Sequence, residues 1–243
     1  MRRTFGLLTL ASIAACAGAR PPAAQPAQET AESAAHAEGK HGHGHGHGSG
    51  PLVHRFANAE QWADQFDDPE RAAWQHPDRV IAAMQIEPDM VVADIGAGTG
   101  YFEPWLSRAV GDGGQVLALD IEPDMVRYLD ERARREGLTN VRAALVATED
   151  PNLPARGVDR ILIVDTWHHI AGREAYAAKL RQALKPQGRV FIVDFKLDAK
   201  RGPPVHHRLP PKTVVQELTA GGLVAEILPA DLPEQYIVVG RSP

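Results

Sequence analysis

Cysteine occurs once in the 243 residues, at Cys16. A lone thiol near the N-terminus leaves the rest of the chain without an internal disulfide and without a thiolate metal site. It also argues against chemistry that grips a soft substrate through several cysteines. An excess of basic residues is missing too: 26 Lys and Arg stand against 31 Asp and Glu, a net charge of −5. No positive field advertises nucleic acid, so no nucleic-acid partner is expected. Apolar runs long enough to cross a bilayer are absent. Phe5 to Ala15, after Arg2 and Arg3, is the nearest approach and is too short.

That short run has the length and flanks of a signal-peptide core. It closes on Ile13-Ala14-Ala15-Cys16, which resembles the bacterial lipobox, where small residues precede a cysteine that is acylated and becomes the new N-terminus. The resemblance implies a signal peptide over residues 1–16 and a lipoprotein held by lipid on Cys16 at the periplasmic face of a membrane. Ala17, in place of Asp, permits sorting to the outer membrane. An ordinary signal peptide is the alternative, and Arg2-Arg3-Thr4-Phe5 reads either as a twin-arginine signal or as a positive leader. Residues 17–50 hold Ala, Pro, Gln, Glu and Gly with almost no bulky apolar side chain, so they predict a tether that cannot offset its ordering entropy. Within it His41, His43, His45 and His47 alternate with glycine, and His36 lies nearby. Such a tract can wrap Zn, Ni or Cu ions weakly, or it is a solvated spacer.

Residues 51–243 read as one domain. Phe56–Phe66 and Pro69–Met84 predict two helices that cover the entrance to the strands after them. Apolar runs at Val91–Ile95, Val116–Leu119, Val141–Val146, Arg160–Val164 and Arg189–Val193 predict strands. Helical stretches lie between them at Tyr101–Val110, Pro123–Glu136 and Arg173–Leu184. Strand alternating with helix predicts a doubly wound, mostly parallel sheet covered on both faces. After a helix at Pro211–Ala220, closed by Gly221-Gly222, two further strands, Val224–Leu228 and Tyr236–Gly240, are joined by a link short enough for a hairpin. The expected fold is α/β, Rossmann-like, with seven strands and an antiparallel C-terminal hairpin.

The most specific signal is Asp94-Ile95-Gly96-Ala97-Gly98-Thr99-Gly100, a strand end running into a glycine turn and then a helix. Glycines at alternate positions permit a tight turn and let a ligand lie against backbone amides. A dinucleotide fingerprint would carry its third glycine at position 101, which is Tyr101. The next strand ends in Asp120, about twenty residues on, where a carboxylate can accept hydrogen bonds from both ribose hydroxyls. This pattern resembles the first motif of class I S-adenosylmethionine-dependent methyltransferases, and the chain is most similar to the small-molecule group that includes the ubiquinone and menaquinone biosynthesis enzymes. The resemblance implies S-adenosylmethionine held by Asp94, Gly96, Ala97, Gly98, Thr99, Gly100, Asp120, Ile121 and Asp165. It places Thr148 and Glu149, after the third strand, around the adenine, although Thr148 stands where Asp is common.

The methyl acceptor belongs beyond the carboxyl ends of the strands, framed by Asp165–His169 and Asp194–Lys196. Asp165-Thr166-Trp167-His168-His169 resembles the fourth motif of the group, which places a histidine pair near the reacting methyl. His168 or His169 can take a proton from the acceptor, or can simply pack and orient the loop. The proline-rich stretch Pro203–Pro211 predicts a rigid lid, and its His206, His207 and Arg208 either recognise an anionic acceptor or serve no ligand. Trp62, Trp74 and Trp105 read as packing. Two functions stay open from sequence: transfer of a methyl group to a small molecule, or a non-catalytic envelope protein that keeps the fold to bind a ligand or metal. The second is prompted by a conflict, since the signal sends the protein away from the compartment where the cofactor is made.

Overall fold

A computed structural model describes residues 58–243. The expected signal peptide, Cys16 and the His41–His47 tract lie outside the described residues. The first element is α1 (Ala59–Phe66), whose N-terminal amide is bound by Asp124 Oδ2 at 2.7 Å. The single helix expected over 69–84 is two, α2 (Arg71–Gln75) and α3 (Pro77–Met84). Pro77 cannot donate a backbone hydrogen bond and disfavours the helical region for the residue before it. His76 accordingly turns left-handed at φ 49°, and the chain bends there.

The strands are β1 (Val91–Ile95), β2 (Gln115–Asp120), β3 (Val141–Leu145), β4 (Val158–Val164), β5 (Leu184–Phe195), β6 (Val224–Leu228) and β7 (Gln235–Arg241). They form one sheet in the order β3-β2-β1-β4-β5-β7-β6. The first five are parallel, and β7 runs antiparallel to both β5 and β6. The expected seven-stranded layout with its C-terminal hairpin is therefore the observed one. β5 is longer than expected because its neighbours continue the ladder past Val193 on one side and before Arg189 on the other.

Helices α4 (Glu103–Val110), α5 (Pro123–Glu136), α6 (Arg173–Ala183) and α7 (Pro211–Ala220) complete the chain. Strand side chains alternate between two cores. Ile161 and Ile163 of β4 pack with Leu180 of α6 and Leu218 of α7, while Leu162 and Val164 pack with Met84 of α3, Leu106 of α4 and Leu129 of α5. Helix α4 begins two residues later than expected, at Glu103, because the glycine turn continues through Tyr101. Helices α5 and α7 start at a proline, whose fixed φ suits a first turn. No helix among the described residues is long and apolar enough to cross a membrane. A parallel sheet of this order gathers the carboxyl ends of β1, β2, β4 and β5 on one edge, and the candidate residues are there.

Candidate active site

The turn after β1 is built on three left-handed glycines: Gly96 at φ 75°, Gly98 at 58° and Gly100 at 86°. The Gly96 and Ala97 amides donate to Leu119 O at 2.8 and 3.1 Å, which ties the turn to the end of β2. A β-carbon on Gly96 would overlap the Thr166 side chain, and one on Gly100 would lie 2.8 Å from Leu129 Cδ2. Gly98 has more room; a β-carbon there would meet only the Phe66 ring, at 3.6 Å. Phe66 of α1, stacked on Trp62 at 5.5 Å, thus lies over the turn, as expected of a helix covering the entrance. Arg132 of α5 fixes this arrangement, bonding Asp67 Oδ1 at 2.7 Å and Thr99 O at 3.0 Å.

Asp120 ends β2 with its carboxyl buried. Oδ2 accepts from the Gly98 amide and Oδ1 from the Glu122 amide, each at 2.9 Å. Burial raises its pKa, and the amides of Glu122, Gly98 and Ile121 oppose that rise. Ile121 is 45% exposed beside it. Asp94, at the end of β1, is buried, and desolvation pushes its carboxyl up to about 7 against the pull of Arg71. Next to it Glu103 is equally buried, and burial together with the Asp94 charge lifts it well above the usual carboxylate range. Neither Glu103 oxygen has a donor, so Glu103 is the member of the pair that holds the proton.

Beyond β4 and β5 lies a second polar cluster. Asp165 adopts φ 52°, a costly conformation for a residue with a side chain. Its Oδ1 accepts from Gln235 Nε2 at 2.6 Å and its Oδ2 from Gln75 Nε2 at 3.2 Å. Desolvation, aided by Asp194, pushes its carboxyl up to about 7. Gln75 Oε1 accepts in turn from Arg71 Nε, and the Arg71 guanidinium stacks 4.1 Å from the centre of the Tyr101 ring. His168 Nδ1 sits 3.0 Å from both oxygens of Asp194, which is fully buried and also accepts from the Phe195 amide at 2.8 Å. Of the expected histidine pair, then, His168 is tied to a carboxylate, and the His169 ring lies 4.2 Å away.

The buried side-chain oxygens without a partner among the described residues are Thr99 Oγ1, both oxygens of Glu103, and Gln235 Oε1. They fall at the glycine turn and beside Asp165. Buried polar groups are normally satisfied, so their concentration at this edge of the sheet marks a place built for a ligand. Residues 92–188 match the sequence pattern described as a methyltransferase domain. Over this region the chain is similar to methyltransferase domains.

A ubiquinone/menaquinone biosynthesis C-methyltransferase UbiE of Shewanella halifaxensis is 31% identical over 116 residues, 47% of this chain and 46% of that one. The chain thus spans about half the length of the curated relatives it matches. A SAM-dependent methyltransferase from Aquifex aeolicus aligns with a TM-score of 0.70 at 26% identity, over 75% of this chain and 97% of that one. The fold is shared with Haemonchus contortus phosphoethanolamine N-methyltransferase 2, solved with S-adenosylhomocysteine; the TM-score is 0.55 at 15% identity, over 71% of this chain and 46% of that one.

The fold brings Asp94, Gly96, Ala97, Gly98, Thr99 and Gly100 to the turn after β1, Asp120 and Ile121 to the end of β2 beside it, and Asp165 to the end of neighbouring β4. Thr148 and Glu149 are exposed, and Thr148 Oγ1 donates to Glu149 Oε2 at 2.7 Å, so those side chains satisfy each other. Arg208 is no anion receptor. Its guanidinium donates to the backbone oxygens of Lys196, Leu197, Ala199, Arg201 and Pro203 and holds the post-β5 loop in shape. Trp74 stacks on Phe195 at 5.7 Å, while Trp105 is 36% exposed where packing was expected. Arg71, Gln75, Glu103 and Gln235 were missed from sequence. Arg71 and Gln75 are four apart on one helix face, the spacing that lets their side chains meet.

Proposed function

We propose that the protein transfers the methyl group of S-adenosylmethionine to a small-molecule acceptor by in-line displacement. The observation that carries this reading is the left-handed turn Gly96–Gly98–Gly100, closed by the Asp120 carboxylate, with the unpartnered Thr99 and Glu103 oxygens beside it. Asp120 would hold the ribose, exchanging part of its bonding to the Gly98 amide for the sugar hydroxyls. Ile121 would lie against the adenine. Asp94, with the proton of the pair kept on Glu103, would receive the ammonium of the methionine portion. When bound, S-adenosylmethionine supplies an electrophilic methyl carbon whose sulfur departs as a neutral thioether. The protein's own contribution is then to orient the acceptor in line with that methyl and to exclude water, and holding two reactants in the right geometry brings a large rate gain.

The resemblance of Ile13 to Cys16 to a lipobox extends the reading to location: a lipoprotein at the periplasmic face of a bacterial membrane, with the His41–His47 tract in its tether. Titration calorimetry of the purified protein with S-adenosylmethionine and S-adenosylhomocysteine tests the core of it. Micromolar binding of both is expected; a folded protein that binds neither overturns the assignment.

A further inference from the structure

We propose that the segment after β5, residues 196–212, is a docking surface for an anionic phospholipid bilayer. The proposal goes beyond the methyl-transfer reading and depends neither on it nor on acylation of Cys16. Charge is the first observation. Lys196, Lys200, Arg201, Arg208 and Lys212 stand against Asp198 alone within the segment, in a chain whose net charge is −5. Two of the cations shape the loop itself: Lys196 Nζ donates to Leu232 O at 2.6 Å, and Arg208 forks over five backbone oxygens. Lys200, Arg201 and Lys212 are exposed, with no carboxylate within 4.0 Å among the described residues. The acids nearby are Asp198, which is exposed, and two that are engaged: Glu234 Oε2 accepts from the Lys200 amide at 2.6 Å, and Asp231 pairs with Arg79 at 2.8 Å.

Apolar exposure is the second observation. Val205 is the most exposed large apolar side chain described, at 60%, and Leu197 is 45% exposed. A loop without a core of its own is ordinarily loose. This one is fastened by the Arg208 fork and by Tyr236, whose hydroxyl donates to Leu209 O at 2.9 Å, so Val205 and Leu197 are held out in water. Apolar side chains among free cations suit the interfacial layer of a membrane, where the former enter the acyl boundary and the latter meet lipid phosphates. A stable protein interface takes about 20–30 residues a side. The segment exposes ten, which favours lipid over an acidic protein. Its place gives the docking a consequence for the site. The segment leaves the sheet directly after Asp194 and Phe195, and the Arg201 guanidinium lies 5.9 Å from the centre of the Trp74 ring, which stacks on Phe195. Docking here turns the carboxyl edge of the sheet toward the lipid.

A dye at position 205 tests this in the full chain. Cys16→Ser removes the only cysteine, so Val205→Cys then gives a single attachment point for a polarity-sensitive nitrobenzoxadiazole dye. Ala155→Cys, exposed in the loop before β4 at the opposite edge of the sheet, is the control. Vesicles containing phosphatidylglycerol should shift the emission at 205 to the blue and leave that at 155 unmoved, and vesicles of phosphatidylcholine alone should shift neither. Salt on the order of 0.5 M should reverse the shift by screening. Lys200→Glu, Arg201→Glu and Lys212→Glu together should weaken vesicle affinity, read at 205, by at least about tenfold. The lipid contrast and the salt reversal need no charge variant, so they carry the test if the triple variant misfolds. No shift at 205, an equal shift at 155 or with phosphatidylcholine, or an affinity untouched by salt would each overturn the proposal. A shift produced by polyglutamate and not by vesicles would assign the surface to an acidic protein instead. Neither dye reports on S-adenosylmethionine, so failure here leaves the methyl-transfer reading where it stands.

Discussion

Asp120 Oδ2 lies 2.9 Å from the Gly98 amide nitrogen, so the end of β2 and the glycine turn after β1 are already joined by a hydrogen bond. A ligand that bonds to this carboxylate meets an acceptor whose direction is fixed. Replacing Asp120 by Ala should weaken S-adenosylmethionine binding by at least about tenfold, the loss expected for charge-assisted hydrogen bonds worth about 1.5–3 kcal/mol. Calorimetry reads this directly, and an unchanged affinity in a folded variant would remove Asp120 from the ribose site.

The turn itself should tolerate no side chain at its ends. Gly100→Ala places a β-carbon 2.8 Å from Leu129 Cδ2 in a backbone at φ 86°. The left-handed conformation alone costs about 1–2 kcal/mol for a non-glycine residue. Thermal unfolding should therefore shift downward, and cofactor affinity with it. Gly98→Ala, with open space up to Phe66, is the control expected to shift less.

Protonation gives a third expectation. Burial pushes Asp94 and Asp165 up to about 7 and Glu103 well above its usual range. Groups with raised folded-state pKa values bind protons more tightly folded than unfolded, so stability is greatest below their unfolded pKa values and is lost as pH rises through the folded ones. The ligand-free protein should melt at a higher temperature at pH 5 than at pH 8. Glu103→Gln removes one titrating group, so it should flatten this slope. The carboxylates with lowered values, Glu60, Asp124, Glu149 and Asp150, act in the opposite sense only at more acidic pH.

Much of this arrangement is legible in the residues. The bounds of helix α5 are legible because Pro123 opens it and Gly137, at φ 69°, closes it. β1, β4 and the Val190–Val193 part of β5 lie in runs whose two faces are both apolar, the pattern of a covered parallel sheet. The break at His76 is not legible, since the apolar spacing of residues 69–84 continues through it and only the constraint from Pro77 records the bend. Glu103, Gln75 and Gln235 are hidden for a different reason. A polar side chain on a helix or strand end reads as solvated, and its burial comes from elements far away in sequence: Gln235 meets Asp165 across 70 positions. The exposed pairing of Thr148 with Glu149 likewise depends on a loop conformation that spacing does not encode.

Arg208 supplies a stability test away from the candidate site. Its fork satisfies five backbone oxygens between Lys196 and Pro203. Arg208→Leu should leave those carbonyls to water and loosen the segment, seen as faster limited proteolysis within residues 197–207. Lysine, a single compact charge without the fork, should rescue only part of the protection. Equal cleavage rates for all three proteins would show that the loop holds itself.

The lipobox expectation is checked by labelling. Cells expressing the full chain with radioactive palmitate should yield a labelled protein, and Cys16→Ser should yield none. Label retained in the serine variant would place the lipid elsewhere, and an unlabelled wild type would leave an ordinary leader.

The register of β4 and β5 sets Val164 beside Val193, so the next residues, Asp165 and Asp194, start as neighbours on adjacent strands. Strands paired in this way lie about 4.8 Å apart, and that spacing sets where the two residues leave the sheet. The sheet works as a ruler: loops at this edge can be exchanged, lengthened or recoloured by evolution while the two strand ends keep their gauge. A designer wishing to graft new chemistry here would find the measuring already done.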